Sequence, residues 1–167
     1  MTIGADESKD HLIEILKSFT TAMFITMEAE GIAHARPMSI ARVGPGNDIF
    51  LVTSVKSPKV ANIVSQPLVT LTLQGTTQFV ALSGNATIVY DRATIETLWS
   101  EAWRVWFPDG KTDPDICLIK VDLDAGEFWD LSGTRGVSMM IEAARSLAMG
   151  RKIQSSEKQN AKVMLTP

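Results

Sequence analysis

Lys56 and Lys59 flank Ser57-Pro58, a pair whose residue types suit the cap and first position of a helix. A helix N-terminus already carries positive partial charge, so acidic neighbours are favoured there and lysines are not. Thr53, Ser54 and Ser57 add hydroxyls on the same short stretch. A strand end, a hydroxyl-rich turn, a helix start and two lysines together have the makings of an anion pocket. The simpler alternative is two solvated lysines beside an ordinary cap. Arg36, in His34-Ala-Arg-Pro-Met38, is the third cation in question. Mid-strand it needs solvent, along which it can snorkel, or an anion. With the two lysines it would suit a phosphate monoester, the guanidinium offering a fork and the lysines point charges.

Other chemistries find less support. The two histidines, His11 and His34, lack metal-ligand spacing. His11 is expected on the exposed side of a helix. No nucleophile-elbow pattern, Rossmann glycine fingerprint or Walker loop is present. Asp109, Asp113 and Asp115 share a loop without the EF-hand pattern and read as turn punctuation. Cys117, the single cysteine, falls in an apolar run and reads as an inert core thiol. Three of the four tryptophans, Trp99, Trp103 and Trp106, crowd into one segment, and Trp129 stands alone. Such aromatics fill cores, line flat-ring pockets or mark subunit interfaces.

The elements that must position these residues are legible from periodicity. Asp6 to Phe19 reads as an amphipathic helix with Leu12, Ile13, Ile15, Leu16 and Phe19 on its apolar side. Strands are expected at Thr21–Met27, His34–Arg42, Ile49–Val52, Leu68–Leu73 and Phe79–Tyr90, the last with a bulge at Gly84. Pro37 argues for an edge or bulge in the second of these. Asp91 caps a helix expected to run towards Trp106. Ile116–Leu123 and Glu127–Leu131 read as two strands joined by a turn at Asp124-Ala-Gly126. Val137 to Ala148 reads as an amphipathic helix and Gly150 to Asn160 as a polar stretch. Ala161–Leu165 reads as a short terminal strand. Consecutive short strands without βαβ alternation favour a small antiparallel barrel.

The 167 residues fit one domain, and 45% hydrophobic with 21% charged residues is an ordinary globular balance. A net charge of −3 argues against general nucleic-acid binding. Neither a signal peptide nor a membrane-spanning run is evident, and one cysteine suits a reducing compartment. A cytoplasmic protein is expected.

The linked motifs His34-Ala-Arg-Pro-Met38, Leu51-Val-Thr-Ser-Val-Lys-Ser-Pro-Lys-Val60, Ser83-Gly-Asn-Ala86, Trp106-Phe-Pro-Asp-Gly110, Asp113-Pro-Asp115 and Phe128-Trp-Asp130 resemble the general stress proteins of the pyridoxamine 5′-phosphate oxidase-like group. The resemblance spans roughly residues 8 to 150. It implies a mainly β protein: an FMN-binding split barrel of about six antiparallel strands with N-terminal, mid-chain and C-terminal helices. That domain would occupy residues 1–150, followed by a polar tail over 151–167. The resemblance implies FMN, with FAD as an alternative, held at the interface of a homodimer. Arg36, Lys56, Ser57 and Lys59 would hold the phosphate. Pro37 and Met38 would lie along the ring, Thr53 and Ser54 would add polar contacts, and Trp106 and Trp129 would approach from the second subunit. No metal, nucleic acid or membrane partner is expected. The implied function is a flavin-dependent oxidoreductase of unknown substrate, the alternatives being a flavin holder or sensor and a flavin-free barrel acting through protein contacts. The authentic oxidase holds its substrate with an Arg-x-His element near its C-terminus, and no histidine follows His34 here. No catalytic residue is assigned.

Overall fold

Ile49, Phe50, Leu51 and Val52 are all buried, although neighbouring strand residues face opposite sides. Their strand is covered on both faces. Ile49 and Leu51 enter the main core, whereas Phe50 and Val52 enter a second cluster with Ile95, Trp103 and Phe107. The computed structural model describes residues 5–28, 30–133 and 160–165. The expected helix from Val137 to Ala148, most of the polar stretch after Gly150 and the domain boundary at 150 lie outside the described residues.

The elements in order are α1 (Ala5–Lys17), β1 (Thr21–Met27), β2 (Ala33–Val43), β3 (Asp48–Ser54), α2 (Pro58–Ser65), β4 (Leu68–Gln74), β5 (Gln78–Val89), α3 (Arg92–Leu98), β6 (Ile116–Asp130) and β7 (Asn160–Met164). Two short 3-10 helices, Glu101–Val105 and Gly110–Thr112, separate α3 from β6. The strands run in the order β3-β2-β1-β4-β5-β6-β7, all antiparallel. Pairing of β3 with β6 closes the first six into a barrel. The N-terminal half of β6 makes that closure, from Ile116 to Asp122, and its C-terminal half carries β7. The expected mainly β barrel of six antiparallel strands is therefore the fold. The terminal strand forms too, burying Val163 and Leu165 in the main core.

Three expectations are corrected. The predicted turn at Asp124-Ala-Gly126 does not exist, because β6 runs unbroken for 15 residues. Its turn-like residues serve a bulge and a close approach. Ser83 pairs with Ala125 and Gly84 with Leu123, leaving Asp124 as the extra residue. A Cβ on Gly84 would lie 2.3 Å from the Asp122 carbonyl oxygen, and one on Gly126 would lie 2.7 Å from a Leu12 methyl. The helix expected to run towards Trp106 ends at Leu98, where Trp99 and Ser100 turn extended. The break sets the Trp99 ring edge-on to Trp103 at 5.7 Å and lets Trp103 bury beside Ile95. His11 is half-buried, not exposed: its Nε2 lies 2.8 Å from Asp130 Oδ2, and its ring meets Phe128 edge-on.

Residues Ala33–Ser39 of β2 pair only with β1, so Pro37 sits on an open edge as its missing N–H requires. Among the described residues, no helix is long and apolar enough to cross a membrane.

Candidate functional site

The ladder between β2 and β3 ends at Ile40↔Leu51. Beyond that pair β3 stays bonded to β6 through Ser54, while β2 stays bonded to β1. The barrel wall therefore parts between Pro37–Ser39 and Val52–Ser54. A cleft of about 580 Å³ lies there, lined also by Thr21, Ser57, Lys59, Trp106 and Phe107. Its lining combines the apolar Pro37, Met38, Val52, Trp106 and Phe107 with the hydroxyls of Thr21, Ser39, Thr53, Ser54 and Ser57 and the ammonium of Lys59.

Ser57 holds the N-cap position of α2 with extended backbone, followed by Pro58, as the residue types predict. Its hydroxyl does not cap the helix. It accepts a hydrogen bond from Lys59 Nζ at 2.5 Å, and Thr53 Oγ1 accepts a second at 3.0 Å. Burial lowers the Lys59 pKa, and the nearby Arg36 lowers it further. Among the described residues no carboxylate pairs with Lys59. Arg36 donates from Nη1 to the buried Thr26 Oγ1 at 3.1 Å. Burial lowers its pKa, with Glu28 partly opposing. The charge of Arg36 thus acts on Lys59, which has no carboxylate partner among the described residues.

Seven of the residues singled out in the sequence line this cleft: Pro37, Met38, Thr53, Ser54, Ser57, Lys59 and Trp106. Arg36 does not line it, but its charge is near enough to act on Lys59. Lys56 does not line it, since its Nζ donates to Asp115 Oδ2 at 2.6 Å. Trp129 lies on the far half of β6, opposite Phe79 and Asn160. Sequence reasoning missed Thr21, Ser39, Val52 and Phe107. Thr21 and Ser39 are register partners, so only the β1–β2 pairing brings them to one place. Phe107 could have been read from its position beside Trp106.

The donor set fits a phosphate: two mutually repelling cations, five hydroxyl side chains, a helix start and, among the described lining residues, no acid. The apolar part of the lining, with Trp106 and Phe107, suits a flat ring. Among the described residues, no histidine or carboxylate lines the cleft to act as general acid or base. Cys117 lies beneath it on β6, opposite Thr53, fully buried and with its pKa pushed up to about 11 by burial. Such a thiol is inert at neutral pH, in line with the sequence reading.

Residues 7–154 match the sequence model of the family described as pyridoxamine 5′-phosphate oxidase like. The chain belongs to that family. Its fold is similar to a protein assigned as general stress protein 26 in Jannaschia sp. CCS1, with a TM-score of 0.74 at 21% identity, covering 95% of this chain and 99% of that one. The general stress FMN/FAD binding protein from Xanthomonas citri is 27% identical with a TM-score of 0.66, covering 77% and 92%. A pyridoxamine 5′-phosphate oxidase-related, FMN binding protein from Nostoc punctiforme PCC 73102 aligns at 13% identity with a TM-score of 0.56, covering 96% and 95%. No curated protein sequence matches the chain. The split-barrel expectation is thus the fold of the family, and the parted β2–β3 wall is where this chain's barrel splits.

Proposed function

We propose that this chain is an FMN-binding flavoprotein of the general stress branch of its family. The observation that carries the reading is Lys59: a half-buried cation near Arg36, hydrogen-bonded to hydroxyls alone, lining a cleft that also holds Pro37, Met38 and Trp106. Arg36 and Lys59 hold the phosphate, with Ser54, Ser57 and Thr53 as polar partners. Lys56 joins them only on leaving Asp115. Pro37 and Met38 lie along the ring. Two neighbours whose names specify FMN or FMN/FAD support the flavin, and the second keeps FAD as an alternative. Bound flavin would supply electron-transfer chemistry, and the chain would supply binding, orientation and shielding from water.

The same proposal includes a homodimer with the flavin at its interface. It is supported by Trp106, 60% exposed, Val105, 73% exposed, and the open edge of β2 beside the cleft. Trp129 would reach the partner's flavin from its place outside the chain's own cleft. The single buried thiol suits a cytoplasmic setting. Whether the flavin turns over divides two readings. An oxidoreductase needs a substrate to meet the ring. A holder or sensor is favoured by the lack of a histidine or carboxylate among the lining residues. Oxidation of pyridoxamine 5′-phosphate is disfavoured, since no histidine follows His34.

The visible absorption spectrum of the purified protein tests the flavin. A yellow protein, or a colourless one that takes up added FMN stoichiometrically, is expected; a protein that does neither overturns the proposal. Anaerobic addition of NADH or NADPH then separates the readings, because reduction marks an enzyme and its absence with both donors marks a holder.

A further inference from the structure

Four residues of the Thr53–Lys59 stretch face the cleft and Lys56 does not. What removes it is the carboxylate of Asp115, carried by a loop whose backbone is well tied down. Asp113, buried, accepts the Asp115 backbone N–H on Oδ1 at 2.9 Å. Arg92, at the start of α3, donates to the carbonyl oxygens of Asp113, Pro114 and Ile116. The Val55 N–H donates to the Asp115 carbonyl at 2.8 Å, tying this loop to the turn that carries Lys56. The Asp115 backbone is thus held beside the turn that carries Lys56, and Lys56 reaches its carboxylate on a flexible stem.

We propose that Asp115 is a positioning residue that competes with the ligand for Lys56 and so sets the charge of the cleft for a phosphomonoester. This rests on the phosphate reading of the cleft. With Lys56 engaged, Arg36 and Lys59 meet a phosphate that carries close to two negative charges at neutral pH. The cationic and anionic charges then balance, and a third cation is held in reserve. The Lys56 side chain is 76% exposed and Asp115 35% exposed. An exposed pair of this kind is weak, so a phosphate can draw Lys56 away at little cost. Burying Lys56 permanently against the phosphate would strengthen binding but leave three unneutralised cations in the empty cleft.

The test is a double-mutant cycle on Lys56 and Asp115, read by titration with FMN, riboflavin and inorganic phosphate at fixed ionic strength. Asp115→Asn is expected to tighten FMN binding by about three- to tenfold at low salt, with a steeper salt dependence. Riboflavin, which lacks the phosphate, should bind unchanged. The gain should vanish in Lys56→Ala/Asp115→Asn. Equal weakening of FMN and riboflavin by Asp115→Asn would show a merely structural residue and overturn the proposal. So would a gain that survives without Lys56, or no change. If none of the four chains binds FMN, inorganic phosphate decides: tighter phosphate binding by Asp115→Asn overturns the flavin reading and leaves the Asp115 proposal standing. No response to either probe overturns both.

Discussion

Lys59 donates to Thr53 and Ser57 while burial and Arg36 both push its pKa down. A base with a lowered pKa costs stability wherever it is charged, and the cost is relieved as pH rises through its folded pKa. Near neutral pH the lysine is charged, so the empty cleft carries that cost. Lys59→Met should therefore raise the stability of the ligand-free protein by about 0.5–1 kcal/mol, read by urea unfolding. The same change should weaken FMN by about tenfold or more, since a charge-assisted phosphate contact contributes about 1.5–3 kcal/mol. Arg36→Ala should weaken FMN on the same scale. Riboflavin affinity should barely move in either variant. Equal losses for FMN and riboflavin would place the phosphate elsewhere.

At the scale of elements, two close contacts hold the barrel in register. Gly84 faces the bulge at Asp124, and a Cβ there would strike the β6 backbone, which has no flexible end to move aside. Gly84→Ala should cost about 2 kcal/mol or more. A loss under about 0.5 kcal/mol in denaturant unfolding would show that the bulge can shift. The second contact ties α1 to β6. Asp130, whose side chain is 5% exposed, meets His11 and accepts from Ser132. Burial works to raise its pKa, but hydrogen bonds from Ser132, His11 and Gln78 outweigh it and hold the carboxyl below its ordinary 3.8. A lowered carboxyl contributes stability that is present above the unfolded pKa and lost as pH falls through the folded one. Asp130→Asn should cost about 1.5–3 kcal/mol at pH 7. That gap should close in acid, below pH 3.8; a gap independent of pH would assign the loss to packing.

At the scale of the whole molecule, one side of the barrel is both open and apolar. The cleft, the free edge of β2 and the exposed Val105-Trp106 pair lie together around the parted wall. In a dimer that buries this side, Trp106 would be an anchor. The chain is expected to sediment at twice its own mass, and Trp106→Ala should raise the dimer dissociation constant by about tenfold or more, as removal of a central interface tryptophan does. A monomer that nonetheless binds FMN tightly would confine the flavin to one chain.

How much of this was legible in the sequence follows from the range of the interactions. Strand alternation, the Ser57-Pro58 helix start and the apolar side of α1 are written in neighbouring residues, because period and capping are local properties. The lysine pair was legible for the same reason: charge at a helix start conflicts with its neighbours alone. The linked motifs extended that reading to a family, and with it to a barrel. Asp124-Ala-Gly126 misled because small and polar residues mark a turn and a bulge equally well, and only the β5 partner decides between them. The histidine was misjudged because its partner lies 119 residues away. Nor could local pattern show that Asp115 takes Lys56, 59 residues distant, out of a cleft that its neighbours line. The sequence by itself determined most of the strands, though not the unbroken length of β6, along with the helix starts and the cationic stretch. The tertiary structure alone decided which cations share a site, since that depends on where β2 and β3 part and on which carboxylate reaches a lysine first.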